Sequence, residues 1–192
     1  MKKRIFLLGD SIRFGAHNSV GYGRIVENKL KDVAVIYQPD ENCRFTVYTL
    51  RQLHEWAQPI HEDVDIVYWN NGLWDVLRIN QDDPLIDISV YGKYLERITF
   101  RLKQLFPNAR IIFALTTPVI EQWQDVNFFR RNDDIKAYNE TAKKILQPIG
   151  VEIDDLYEIA DGFHEKYRAD WVHFDDIGCE ILADHVIKSL GY

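Results

Sequence analysis

Short apolar runs alternate with helical stripes along the chain, and this alternation restricts the fold more than any other feature of the sequence. Residues 4–8, 33–37, 65–69, 110–115 and 151–153 read as strands, brief apolar runs of which the first, third and fourth close on turn signals. Residues 22–31, 46–57, 89–106, 133–147 and 175–190 read as helices between or after them. Val47, Leu50, Leu53 and Trp56 recur at steps of three, and Tyr91, Leu95, Ile98 and Leu102 fall near one stripe. Cys179, Leu182, Val186 and Leu190 give the final helix one apolar side, which puts Cys179 in the core. Asp175 and Asp176 at its start suit the positive end of the helix dipole. The segments around Asp82-Asp83-Pro84 and from Trp123 to Arg131 read as long loops. Repeated strand–helix alternation implies a parallel sheet with helices on both faces and right-handed connections. With 192 residues and no linker or repeat, the expectation is one domain over residues 1–192.

Composition removes several functions. The net charge of -7 argues against broad binding to nucleic acid or anionic membranes. Cys43 and Cys179 make neither a metal-ligand pattern nor a disulfide framework, so they read as reduced thiols in a cytoplasmic protein. No metal and no organic cofactor is implied, and Gly-x-Gly-x-x-Gly and phosphate-loop patterns are absent. The apolar run after Met1-Lys2-Lys3-Arg4 is too short for a signal peptide and reads as the first strand. No stretch is long enough to span a bilayer.

The polar motifs fall after strands. Gly9-Asp10-Ser11 follows the first, Asn42-Cys43-Arg44 the second, Asn70-Asn71-Gly72 the third, Thr116-Thr117 the fourth, and Asp170 and His173 come after the fifth. In a parallel sheet these carboxyl ends share one edge, so five separated segments should converge on one crevice. Ser11 needs a base to act as a nucleophile. His173 is the candidate base, and Asp170, three residues earlier, would hold its ring from the same turn. Ser11 as a plain turn residue and His173 as an ordinary histidine are the bland rivals. No Gly-x-Ser-x-Gly elbow is present, which argues against the α/β-hydrolase class.

These blocks resemble the SGNH hydrolases, also called GDSL-type esterases. Gly9-Asp10-Ser11 matches the first motif and Asp170-x-x-His173 the last, while Trp69-Asn70-Asn71-Gly72-Leu73-Trp74-Asp75 looks like the asparagine block. The resemblance runs from residue 5 to about 186 and implies a flavodoxin-like three-layer α/β/α sandwich with five parallel strands. The second block departs from the family. Glu41-Asn42-Cys43-Arg44-Phe45 lacks the glycine whose backbone N–H usually binds the oxyanion.

The expected oxyanion donors are the backbone N–H of Ser11, a backbone N–H at Cys43 or Arg44, and the side-chain amide of Asn70, with Asn71 as the alternative. Asp10 positions the Ser11 turn. Thr116-Thr117-Pro118 reads as turn chemistry, and Arg130 and Arg131 as a solvated loop, although either could meet an anionic substrate. Trp74 and Trp123 flank the crevice or pack in the core. His17, His54, His61, His164 and His185 are structural or solvated. The resulting expectation is a serine esterase acting on small acyl esters. The resemblance adds O-acetyl groups on a small-molecule or carbohydrate alcohol. Rival readings are a lipid esterase, thioesterase or acyltransferase on the same fold, or a non-catalytic binding module, which the altered second block would favour.

Overall fold

The computed structural model describes residues 2–163 and 165–192. The chain opens with β1 (Lys3–Leu7), a single helical turn α1 (Ser11–Phe14), α2 (Tyr22–Leu30), β2 (Ala34–Tyr37) and α3 (Thr46–Ala57). It continues through β3 (Ile66–Trp69), β4 (Arg78–Ile79), α4 (Ile88–Leu105), β5 (Arg110–Ala114), β6 (Phe128–Phe129) and α5 (Asn132–Leu146). β7 (Glu152–Asp154), α6 (Leu156–Asp161) and α7 (Asp176–Leu190) complete it.

Five strands form one parallel sheet in the order β2-β1-β3-β5-β7. Helices cover both faces: α2 packs against α7, while α4 packs between α3 and α5. Double coverage explains why Ile5-Phe6-Leu7 and all of Ile66-Val67-Tyr68-Trp69 are apolar and buried rather than alternating. Each fully buried Leu, Ile or Phe contributes roughly 1.5–3 kcal/mol, so the central strands dominate the core. Trp69 and Phe113 pack edge to face across neighbouring strands at 4.8 Å.

The strand order reverses beside β1. After β1 the chain adds β2 on one side, then returns to place β3 on the other. Ligands bind outside the carboxyl ends of strands at such a reversal. The turns after β1 and β3 carry Ser11 and Asn70 to that crevice.

The ten expected elements are all present, with no end shifted by more than one residue, which is within the usual fraying. Cys179 is fully buried, as its periodicity implies. Periodicity did not reveal α1, α6, or an antiparallel ribbon that pairs Arg78 with Phe129 and Ile79 with Phe128. The two segments read as independent loops are therefore joined, and Gln81 also donates to the carbonyl of Val126. Two-residue strands are too short to leave a pattern. Among the described residues no helix is long and apolar enough to cross a membrane.

Candidate active site

Ser11 is the first residue of α1. Asp10 caps that turn, its Oδ1 accepting the Ile12 N–H at 2.9 Å. The expected positioning role of Asp10 thus has a physical form. Burial raises its carboxyl above the ordinary value, against the Ile12 N–H and the charges of His173, Arg130 and Arg13.

The turn from Asp170 to His173 faces Ser11 across the crevice. Asp170 Oδ1 accepts the backbone N–H groups of Val172 and His173, each at 2.7 Å, and Oδ2 meets His173 Nδ1 at 2.7 Å. His173 Nε2 lies 2.8 Å from Ser11 Oγ. Partial burial by itself would raise the Asp170 carboxyl. The hydrogen bonds from His173 and Val172 outweigh it and hold the group well below the usual carboxylate range. Asp170 is therefore ionised at neutral pH and can fix the ring with Nδ1 protonated, leaving Nε2 as the acceptor for the serine proton. Cys43, the other nucleophilic side chain beside this turn, is fully buried and pushed up to about 11 by burial. Its thiol stays protonated and is no rival to Ser11.

The donor side differs from the sequence expectation. The Cys43 N–H is bonded to the Gly9 carbonyl at 3.1 Å, so it is not free for an oxyanion. The Arg44 N–H is held by Asn42 Oδ1 at 2.8 Å, in a local turn. Arg44 nevertheless has φ +51, the left-handed conformation that favours glycine. The second block therefore offers no free backbone N–H at Cys43 or Arg44 in this arrangement. Asn71 is also committed: its Nδ2 donates to the Arg44 carbonyl at 2.8 Å and to Thr49 Oγ1 at 2.9 Å. Asn70 donates one amide hydrogen to the Ala114 carbonyl at 2.8 Å and keeps a second.

Buried side chains hold this frame. Arg13 reaches the carbonyls of Pro39 and Glu41 at 2.9 and 2.5 Å, tying α1 to the loop after β2. Asp75 takes the N–H and hydroxyl of Thr46 at 3.0 and 2.6 Å, tying the asparagine block to the start of α3. Burial lifts the Asp75 carboxyl to about 7, against the pull of the Thr46 bonds. Gly72, at φ +153, leaves no room for a Cβ, which would sit 2.0 Å from Thr116 Oγ1.

A cavity of about 420 Å³ opens at Ser11 and His173, walled by Phe14, Trp74, Phe128 and Trp171. Trp74 flanks it as expected. Trp123 is half exposed and stands outside the lining. Thr116 and Thr117 are buried behind it, with Thr116 Oγ1 donating to the Asn71 carbonyl, so the fourth segment supports the crevice without lining it. Arg131 is exposed, but Arg130 is not part of a solvated loop: it is 4% exposed and lines the cavity. The sequence reading missed Phe14, Phe128 and Trp171 as lining residues, and of its two readings of Arg130, a solvated loop or a contact for an anionic substrate, the first does not hold. Only Trp171, lying between Asp170 and His173, carried a signal. His185 bonds Asp154 at 2.6 Å, and His164 lies outside the described residues. Among the described residues no cluster of side chains could hold a metal.

Hydroxyl, imidazole and carboxylate in series at the carboxyl edge of a doubly covered parallel sheet form the arrangement that serine hydrolases use. Comparisons with known proteins agree with that class. No family model matches the chain. A GDSL esterase/lipase of Arabidopsis thaliana (CPRD49) is 26% identical over 97% of this chain and 78% of its own length. A lipase/acylhydrolase from Enterococcus faecalis shares the fold with a TM-score of 0.78 at 17% identity, over 98% of this chain and 95% of that one. An acetyl xylan esterase superposes with a TM-score of 0.77 at 17% identity, over 97% and 99%. The chain thus shares the fold of these acylhydrolases and is similar over most of its length to a GDSL esterase/lipase.

Proposed function

We propose that the protein hydrolyses small acyl esters, O-acetyl groups on a carbohydrate alcohol in the first instance, through Ser11, His173 and Asp170. The observation that carries this reading is the unbroken hydrogen-bonded series from Ser11 Oγ to His173 to Asp170 at the mouth of the cavity. Ser11 Oγ attacks the ester carbonyl carbon while its proton passes to His173 Nε2. The tetrahedral oxyanion takes hydrogen bonds from the Ser11 N–H and the second amide hydrogen of Asn70, each such donor contributing about 10²–10³ in turnover. The Arg44 N–H joins them where the Asn42 side chain gives way. Collapse breaks the carbonyl–alcohol bond, and His173 returns the proton to the leaving alkoxide. Water, deprotonated by His173, then releases the acid and restores the serine.

The aromatic walls suit the apolar face of a sugar ring. The acetyl xylan esterase of the same fold supports acetyl groups as the acyl part. Two buried, unpaired cysteines support a reducing, cytoplasmic setting. A fluorophosphonate probe should label Ser11 in the native protein and not in Ser11→Ala, and p-nitrophenyl acetate should outrun the octanoate ester. An adduct mapped to another residue, or no turnover of any ester, rejects the reading.

A further inference from the structure

Arg130 is the least explained charge in the molecule. It is 4% exposed and lines the same cavity as Ser11 and His173. Its Nε donates to the Leu73 carbonyl. Its guanidinium lies 5.1 Å from the Trp171 ring centroid and 6.0 Å from that of Phe128. Among the described residues no carboxylate is in ion-pair contact with it, and its two terminal nitrogens have no hydrogen-bond partner. Burial lowers its pKa to about 10, against the charges of Asp10 and Asp170, so it remains a cation at neutral pH.

A buried cation without a carboxylate partner is costly, and a fold keeps one where something else supplies the opposite charge. Asp170 does not supply it by contact, because its oxygens are engaged by His173 and Val172. The Trp171 and Phe128 rings and the Leu73 carbonyl hold the guanidinium in place, which leaves the terminal nitrogens to point a planar fork of donors into the cavity. A fork of this kind matches a carboxylate through two parallel hydrogen bonds. A single guanidinium balances a monoanion better than a dianionic phosphate monoester, which would also face the Asp170 charge.

We propose that Arg130 forms a carboxylate-binding subsite, so that the preferred ester carries a carboxylate close to its scissile bond, as an acylated acidic sugar does. This inference rests on the hydrolase reading above and specifies its substrate. Arg130 acts here as a specificity residue and takes no part in the bond-breaking step.

The test is a ratio. Methyl glucuronoside and methyl glucoside acetylated at the same ring hydroxyl differ only at C6, a carboxylate in the first and a hydroxymethyl group in the second. The native enzyme should favour the acid in kcat/KM by about tenfold to a hundredfold, the range expected of hydrogen bonds to a charged group. In Arg130→Gln the ratio should fall to near one, and Arg130→Lys should keep part of it. A ratio near one in the native enzyme, or an Arg130→Gln enzyme that loses both activities while keeping the ratio, overturns the subsite and leaves the esterase standing. Faster turnover of an acetylated sugar phosphate overturns the assignment to a carboxylate. Calorimetric titration of Ser11→Ala with the same two esters separates the claims. If no ester is turned over but the acid still binds more tightly, the hydrolase reading fails and the subsite survives. Equal binding of the two removes the subsite.

Discussion

Among the described residues two histidine–aspartate pairs stand out, and they differ in what the ring has left to face. His173 meets Asp170 through Nδ1 and turns Nε2 to the Ser11 hydroxyl at the cavity. His185, on α7, meets Asp154 through Nε2 at 2.6 Å, and the other oxygen of Asp154 takes the buried Tyr68 hydroxyl at 2.5 Å. That second network ties α7 to β7 and β3. Among the described residues the free nitrogen of His185 has no hydrogen-bond partner. The same two side chains thus face a serine hydroxyl at a cavity in one place and tie elements of the fold together in the other. A histidine beside an aspartate says little until the group on the far side of the ring is known.

Removing each histidine separates the pairs most sharply. His173→Ala should lower kcat by about 10⁴- to 10⁶-fold, the span seen when a triad member is lost, whereas His185→Ala should leave kcat/KM within about threefold. Steady-state hydrolysis of p-nitrophenyl acetate decides it, and comparable losses in both variants would erase the distinction. Stability should rank the pairs the other way. Asp154→Ala strands the Tyr68 hydroxyl and the His185 ring and should cost about 3 kcal/mol. Asp170→Ala, at a half-exposed carboxylate, should cost about 1 kcal/mol or less. Urea midpoints at constant slope test this. Tyr68→Phe should cost about 1 kcal/mol and leave turnover unchanged, because Asp154 keeps its histidine.

The smallest effect is a difference in pH response. The Asp154 hydrogen bond raises the His185 pKa above its ordinary 6.5, with burial opposing. A raised folded-state pKa means stabilisation that is complete below 6.5 and is lost as pH climbs through the folded value. Asp170 behaves in the opposite sense. Its depressed pKa gives stabilisation that is present above the ordinary 3.8 and is lost as pH falls through the folded value. Unfolding free energies of His185→Gln should therefore decline less than those of the native protein from pH 6 to pH 9. Parallel curves would show that the staple does not titrate with folding.

The strands and helices were legible because each depends on its own local run. Ser11, Asp170 and His173 were legible because strand ends in a parallel sheet share an edge, so chain order alone predicts their meeting. The donors beside them were not. Cys43 and Arg44 each have a backbone N–H, but which bond it makes depends on Gly9 and Asn42. The φ of Arg44 was hidden for a related reason, since a non-glycine residue gives no sign that the surrounding fold will hold it left-handed. Arg130 misled most. An arginine in a polar loop is usually solvated, and only the pairing of β4 with β6 and the stacking on Trp171 draw it inward.

The proposed nucleophile and its proposed base lie 162 positions apart in the chain. During translation the serine therefore leaves the ribosome long before the imidazole that must activate it has been made. A nascent or prematurely terminated polypeptide can carry an intact first strand and still be inert toward cellular esters. Under that proposal, activity waits until synthesis has passed residue 173, beyond the last strand of the sheet.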